Sequence, residues 1–219
     1  MHSRTALLAC LLFLVSGEVM AQRYRCELHG KPAFSDQPCK PGEEPTRKDA
    51  APSEARGTLE VNVAIKHYTV RGRDTASLSQ SIKANGPKGF HGQTQWNFAY
   101  EYTAAKERDA CRMRTVRVKA DAEILMPQWA DEATAPPVLQ RRWHAYYAAL
   151  KAHEDGHVRN GKELAPLVKD RLLGLGAMPC DQVKAIADAE FRRLTASLRA
   201  RDKEYDDRTD HGANQGAEF

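Results

Sequence analysis

The spacing of apolar residues changes once along this chain, near Pro136-Pro137, and this change limits what the chain can fold into. Before it, apolar and polar residues alternate in three segments, 59–65, 96–102 and 116–124. Such alternation predicts β-strands with one buried and one solvated face. After it, apolar residues recur at the steps of three and four that an α-helix requires. Strands followed by helices predict an α+β domain with a small mixed or antiparallel sheet.

Two local signals refine the strand region. In the first segment the apolar positions shift parity between Ile65 and Tyr68, which predicts a bulge or bend near Lys66. Further along, Asp74 or Thr75 can cap a short helix, because short polar side chains accept hydrogen bonds from the free amides of a first helical turn.

The helical half contains one stripe of residues that should face the sheet. The stripe consists of Trp143, Tyr147, Leu150, Glu154 and His157. Asn160-Gly161 and Pro166 predict a break or kink in this helix, because proline has no amide hydrogen for the helical ladder. A last helix is expected to begin at Cys180-Asp181. The polar tail from Glu204 to Phe219 is expected to be a loop or an extended end.

The first 21 residues have the features of a secretory signal peptide. Arg4 precedes an apolar run, and Val19-Met20-Ala21 fits a cleavage site, so residues 1–21 are predicted to be removed. The run is too short for a spanning helix. A rival interpretation is a lipoprotein signal ending at Cys10, but most of the run follows that cysteine. We therefore expect a periplasmic or extracellular protein with no membrane span after cleavage.

Two short segments separate the signal peptide from the main domain. Residues 22–40 contain two strand-like stretches around His29-Gly30, which predicts a β-hairpin. Residues 41–57 are rich in proline, alanine and charge and lack periodicity, which is typical of a linker. The main domain is expected to span 58–219.

Four cysteines remain after the signal peptide is removed, namely Cys26, Cys39, Cys111 and Cys180. An even number in an exported protein suggests disulfide bonds. Three pairings are possible, and we favour Cys26–Cys39 with Cys111–Cys180, since each bond then stays within one unit. No two cysteines have the close spacing of a zinc knuckle.

Neither the charge of the chain nor its aromatic pattern indicates a nucleic-acid partner, and none is expected. The formal net charge is only +4 at pH 7, and basic and acidic residues are interspersed. No interleaved aromatic and basic pattern is present. A peptide or protein substrate, or a component of the cell envelope, is the expected partner.

The stretch Lys151-Ala-His-Glu-Asp-Gly-His157 is the strongest chemical signal. On a helix, His153 and His157 lie on one face, where both imidazoles can bind one zinc ion. Glu154 beside them can take a proton from a water activated by that ion, as in H-E-x-x-H metallopeptidases. The plainer interpretation is a polar helix surface without metal. Glu154 and His157 share the apolar stripe, however, and buried polar groups need a partner.

A catalytic zinc usually has three protein ligands, so the motif requires one more. Three residues are candidates. Glu163 follows the motif at the position of the third histidine in metzincins, and Glu190 lies on a later helix, as third ligands of gluzincins do. His211 lies in the polar tail. The spacing alone leaves the choice open.

Several patterns together indicate a family. They are Tyr68-x-Val70-x-Gly72, Asn85-Gly86-Pro87, Trp96, Cys111, Leu125-x-Pro127-x-Trp129, Trp143, His153-Glu154-x-x-His157 and Tyr205-Asp206-x-x-Thr209-x-His211-Gly212. Residues from about 66 to 219 thereby resemble a bacterial domain-of-unknown-function family whose members are inferred to be secreted zinc-dependent proteases. The hairpin segment resembles a short envelope module whose function is itself unclear.

The resemblance implies one zinc ion and makes His211 the preferred third ligand. The same closing motif contains Tyr205, which could donate its hydroxyl to an oxyanion, although a packed tyrosine is the plainer interpretation. It also contains Asp206, which could orient a ligand histidine.

The resulting expectation is a zincin-like metallopeptidase with Glu154 as general base. A strand near 115–124 could offer its edge to an extended substrate. The alternatives are a non-enzymatic envelope protein that uses zinc structurally, and a hydrolase of cell-wall peptide crosslinks.

Overall fold

The structure is a computed structural model that describes residues 24–28, 31–35 and 56–219. The chain divides into two compact units, Met1–Ala51 and Pro52–Phe219, and each is considered by itself. The predicted signal peptide and residues 41–55 of the predicted linker lie outside the described residues, so both stay predictions.

The first unit contains the hairpin that the sequence predicts. Strand β1, Tyr24–Leu28, pairs antiparallel with β2, Lys31–Ser35. Cys39 lies outside the described residues, so the Cys26–Cys39 disulfide remains a prediction.

The second unit is built on a mixed three-stranded sheet, which confirms the predicted α+β class. Its strands are β3, Arg56–Val70, β4, Gln93–Glu107, and β5, Ala110–Trp129, in the order β3-β5-β4. Strand β3 runs parallel to β5, and β4 runs antiparallel to it. Because β5 is paired on both sides, the prediction that a strand near 115–124 offers a free edge is wrong.

The bend predicted near Lys66 is also wrong. Strand β3 keeps one register against β5, from Arg56 opposite Thr115 to Val70 opposite Trp129. The change of apolar parity instead reflects which neighbours are present. Val70 is buried in a cluster with residues of helix α1, Thr75–Asn85, whereas Ile65 remains exposed. Asp74 caps α1 by accepting from the Ser77 amide at 2.9 Å, as predicted.

Two long helices follow the sheet. Helix α2 spans Pro137–Leu173 and α3 spans Val183–Thr209. Of the predicted break or kink in α2, the break is wrong, because the helix continues through Gly161 and Pro166. Buried residues flank the proline on both sides, so packing outweighs the missing hydrogen bond. The predicted loop from Glu204 is wrong as far as Thr209, which is the last residue of α3.

The Cys111–Cys180 disulfide is present, as predicted. It joins the start of β5 to the connection before α3, where Cys111 and Met178 also exchange two backbone hydrogen bonds. The two cysteines are 69 residues apart, and a loop of that length stabilises a fold by about 4 kcal/mol in the chain-entropy model.

Within the described part of the chain, no helix is both long and apolar enough to cross a membrane.

The contact between α2 and β4 depends on a glycine. An added Cβ at Gly161 would lie 2.0 Å from the Trp96 ring, and the Trp96 indole donates to the carbonyl oxygen of His157 at 3.1 Å. The missing side chain therefore lets β4 approach the part of α2 that carries the histidines.

We predict that Gly161→Ala lowers the free energy of unfolding by about 1–3 kcal/mol, because overpacking outweighs the roughly 1 kcal/mol that alanine gains in an open helix. Urea denaturation of the purified domain measures this. Gly176→Ala is the matched control, since nothing lies within 4 Å of its added Cβ. A Gly161→Ala variant as stable as the parent would contradict this account of the contact.

Candidate metal centre

Helix α2 carries three polar side chains into the interior. His153, Glu154 and His157 are all buried, and they follow the apolar residues Trp143 and Leu150 along the inner face of the helix. Burying three polar groups is unfavourable unless each has a partner. Their partners come from α3, from β4 and from the segment after α3.

The two histidines point one ring nitrogen each toward the same carboxylate. His157 Nε2 lies 2.9 Å and His153 Nε2 lies 3.3 Å from Asp206 Oδ1. Ligand atoms of these three residues all lie within 4.8 Å of one another, and they form the only such group of three or more in the described part of the chain. Two imidazoles and one carboxylate match the three protein ligands of a catalytic zinc.

The remaining nitrogen of each imidazole is also held. His153 Nδ1 lies 3.0 Å from Gln215 Oε1, and His157 Nδ1 lies 3.1 Å from Asp202 Oδ1. Asn160 in turn donates to Asp202 at 2.8 Å. With a metal at the two Nε2 atoms, these acceptors would hold the Nδ1–H of each imidazole, which is the usual arrangement around metal-ligating histidines. The donor set and its supporting residues therefore fit zinc.

The protonation of the two histidines differs. Burial lowers the pKa of His153. At His157 burial acts in the same direction, but the carboxylates of Asp202 and Asp206 outweigh it and raise the pKa. A proton on His157 occupies the nitrogen that a metal would use, so metal affinity should fall with acid.

Glu154 is held beside this group without joining it. The Thr94 hydroxyl on β4 donates to Glu154 Oε2 at 2.7 Å. Burial raises the pKa of the Glu154 carboxyl, while the Thr94 hydrogen bond and His157 oppose that shift. Gly92 leaves room for the carboxylate, since an added Cβ there would lie 2.7 Å from Oε1.

A cavity of about 440 Å³ opens onto these residues. One wall is the segment Gly89–Thr94, and the others come from α2, α3 and the last residues of the chain. Its lining includes five carboxylates, those of Glu154, Asp202, Asp206, Asp210 and Glu218, but no lysine or arginine of the described chain. The cavity is therefore acidic although the whole chain carries a formal charge of +4.

Tyr205 packs against the rings of His153 and His157. Its ring stacks on His153 with centroids 5.0 Å apart, and Gln215 Nε2 donates to its hydroxyl at 3.2 Å. An added Cβ at Gly156 would lie 2.3 Å from this hydroxyl, so the glycine makes room for the tyrosine. Tyr205 is not among the residues that line the cavity, which favours the packed tyrosine over the predicted oxyanion donor.

The three residues that the sequence offers as third ligand have different surroundings in the structure. His211 lines the cavity, with Nδ1 3.9 Å from Asp206 Oδ1, but its side chain is 51% exposed and does not belong to the three-residue group. Glu163 pairs with Arg201, and Glu190 pairs with Arg193. The sequence suggested Asp206 only as an orienting residue, but its Oδ1 lies within 3.3 Å of the Nε2 atoms of both histidines.

Sequence reasoning missed Asp202, Thr94 and Gln215. The spacing of Asp202 and Asp206, four residues apart, mirrors that of the two histidines and would have been informative if the tail had been predicted as a helix. Thr94 and Gln215 carry no comparable signal, because only the tertiary fold brings them to α2.

The fold and the site define an α+β domain with an H-E-x-x-H helix and a His-His-Asp group. A family model described as a bacterial protein of unknown function, DUF922, matches residues 65–212. This is more than half of the chain, so the protein belongs to the DUF922 family, in agreement with the resemblance found in its sequence. Comparisons with curated proteins and with solved structures gave no match.

We predict that Asp206→Ala weakens zinc binding by at least about 100-fold, since even residues that only orient metal ligands are worth 10- to 100-fold in affinity. Competition with a chromophoric chelator measures the dissociation constant. His211→Ala is the matched comparison and should have a clearly smaller effect. If His211→Ala had the larger effect, His211 rather than Asp206 would be the third ligand.

Proposed function

We propose that this protein is a zinc-dependent peptidase of the periplasm or cell exterior, with a zincin-like catalytic domain. The observation that carries the proposal is the convergence of His153, His157 and Asp206 beside Glu154 at an open cavity. The site thus pairs a set of metal ligands with a separate carboxylate, as water-activating zinc enzymes require. The signal peptide predicted at residues 1–21 supports the proposed location.

His153, His157 and Asp206 would hold the ion. Zinc, when bound, lowers the pKa of a coordinated water toward about 7 and polarises a substrate carbonyl. Gln215 and Asp202 keep the imidazole rings oriented through their Nδ1 atoms, and Tyr205 packs against both rings. These contacts would hold the two imidazole rings in a geometry suited to metal binding even without the ion.

Glu154 acts as general base and then as general acid. Its carboxylate accepts a proton from the attacking water and passes that proton to the nitrogen of the leaving amine. Burial favours its protonated form, which makes it a better proton acceptor than an exposed glutamate. The Thr94 hydroxyl holds Oε2, so Oε1 faces the cavity side near Gly92.

An extended peptide can enter along β4. This strand begins at Gln93 beside the cavity, and within the described chain its only strand partner is β5. A peptide added to the outer edge of β4 would gain main-chain hydrogen bonds and pass in front of Glu154. The substrate would therefore pair with the free edge of β4 and not with the central strand β5, which the sequence had suggested.

The open cavity argues against a purely structural zinc. A structural site is closed by four protein ligands, whereas the described group has three and faces 440 Å³ of free space. Cell-wall peptide crosslinks contain the same amide bonds as proteins, so they are a substrate alternative for the same chemistry.

We expect Glu154→Gln to bind zinc as the parent does but to lose about 10²- to 10⁴-fold in kcat, the usual contribution of a general base. Cleavage is assayed on casein-like protein and on crosslinked cell-wall peptides, and zinc content is determined in parallel. The substrate that the parent cleaves decides between the two hydrolase alternatives.

Asp155→Asn is the matched control for this experiment. Asp155 is the next residue of α2, but its carboxylate points to solvent and pairs with Lys151, so activity should stay at the parental level. A Glu154→Gln variant with full activity would refute the mechanism. A parent that binds zinc but cleaves neither substrate class would favour the non-enzymatic envelope protein.

A further inference from the structure

Strand β3 exposes a row of apolar side chains. Leu59, Val63 and Ile65 are 37%, 40% and 44% exposed, and Val61 between them is partly buried. Leu59, Val63 and Ile65 make up half of the six large apolar residues that are exposed in the described chain. Because strand side chains alternate between faces, all four lie on one side of the sheet.

This row lies on the helix side of the sheet. Leu59, Val61 and Val63 are register partners of Val118, Ala120 and Ala122 on β5, all of which are buried. Helix α2 approaches β3 near its two ends, at Gly57 and at His67. The residues between these points extend the core face of the sheet beyond the area that the helices shield from solvent.

The outer edge of β3 is also unpaired within the described chain. The strand has 15 residues, and its only strand partner there is β5. Edge strands in natural proteins are usually short, charged or covered, because a long apolar edge is a template for pairing with another chain. β3 lacks the first of these protections and is apolar along one face.

We propose that β3 binds β3 of a second copy of this chain, antiparallel across a two-fold axis at Val63. A two-fold axis perpendicular to the sheet keeps both apolar rows on the same face. Val63 then lies opposite its own copy, and Val61 lies opposite Ile65. The two rows merge into one apolar strip that both copies remove from solvent.

The charges of β3 select this register. With the axis at Val63, Glu60 of each copy lies opposite Lys66 of the other, which gives two opposite-charge pairs on the polar face of the sheet. An axis at Val61 would instead place Arg56 opposite Lys66, a like-charge pair. Lys66 also contacts Glu123 of its own chain, and both side chains are exposed enough for the ammonium group to lie between two carboxylates.

The dimer leaves the cavity open. The sheet order is β3-β5-β4, so pairing through β3 joins two sheets of three strands into one of six and keeps each β4 at an outer edge. Thr94 and the segment that lines the cavity belong to the β4 side. The inference is therefore independent of the proposed peptidase activity.

Sedimentation equilibrium of the mature chain tests the proposal. We expect a dimer, and Val63→Lys should raise its dissociation constant by at least about 100-fold, because each dimer would bury two unpaired ammonium groups. Val138→Lys is the matched control, since Val138 is an exposed apolar residue of α2 that does not belong to the β3 row, and it should stay dimeric. Ile65→Lys provides a second variant, and thermal unfolding confirms that each variant is folded.

A mixing experiment tests the register. Glu60→Lys and Lys66→Glu should each weaken their own homodimers, because like charges then face each other twice. Mixed in equal amounts, the two variants should restore a heterodimer in which both pairs are again opposite in charge.

Three results would overturn the proposal: a monomeric mature chain, a dimer that Val63→Lys does not affect, or no recovery on mixing. If the chain is a monomer, hydrogen exchange tests one alternative. Protected β3 amides in that monomer would mean that another segment of the same chain covers the edge of β3.

Discussion

The meeting of two imidazoles and one carboxylate between α2 and α3 is the contact on which the rest of the site depends. His153 and His157 come from one helix and Asp206 from another, so the group exists only if the two helices pack in one register. Burying these polar groups would be unfavourable without mutual partners. Asp202 and Gln215 contact the Nδ1 atoms of the two rings, and the result is a group of side chains that fits the proposed metal ion.

Small residues make this arrangement sterically possible. Gly156 admits the Tyr205 ring, Gly161 admits the Trp96 indole, and Gly92 admits the Glu154 carboxylate. Gly156 and Gly161 lie on α2 where it contacts α3 and β4, and Gly92 lies just before β4 where the chain contacts α2. The residues after α3 complete the site, because Gln215 reaches His153 while Ala217 is buried and Phe219 packs against Trp143. The residues after α3 thus stabilise the orientation of His153.

The sequence predicted the fold class, the hairpin, the helical position of the two histidines and one disulfide, because these depend on local periodicity and on cysteine spacing. It failed where tertiary packing outweighs local preference. Pro166 does not end α2, and the polar tail continues α3 to Thr209. The second error concealed the helical spacing of Asp202 and Asp206, and so the sequence suggested Asp206 only as an orienting residue. The choice of His211 as third ligand stays a prediction that the Asp206→Ala and His211→Ala variants test. Residues such as Thr94 could not be predicted, since their role follows only from the pairing of β4 with β5.

Anomalous diffraction from crystals of the zinc-loaded mature protein is the most direct test of the central claim. The account predicts one peak above the zinc absorption edge, within about 2.2 Å of His153 Nε2, His157 Nε2 and an oxygen of Asp206. It also predicts that no fourth protein ligand closes the site on the side of Glu154. A peak elsewhere, no peak at full zinc occupancy in solution, or a fourth protein ligand at the cavity would contradict it.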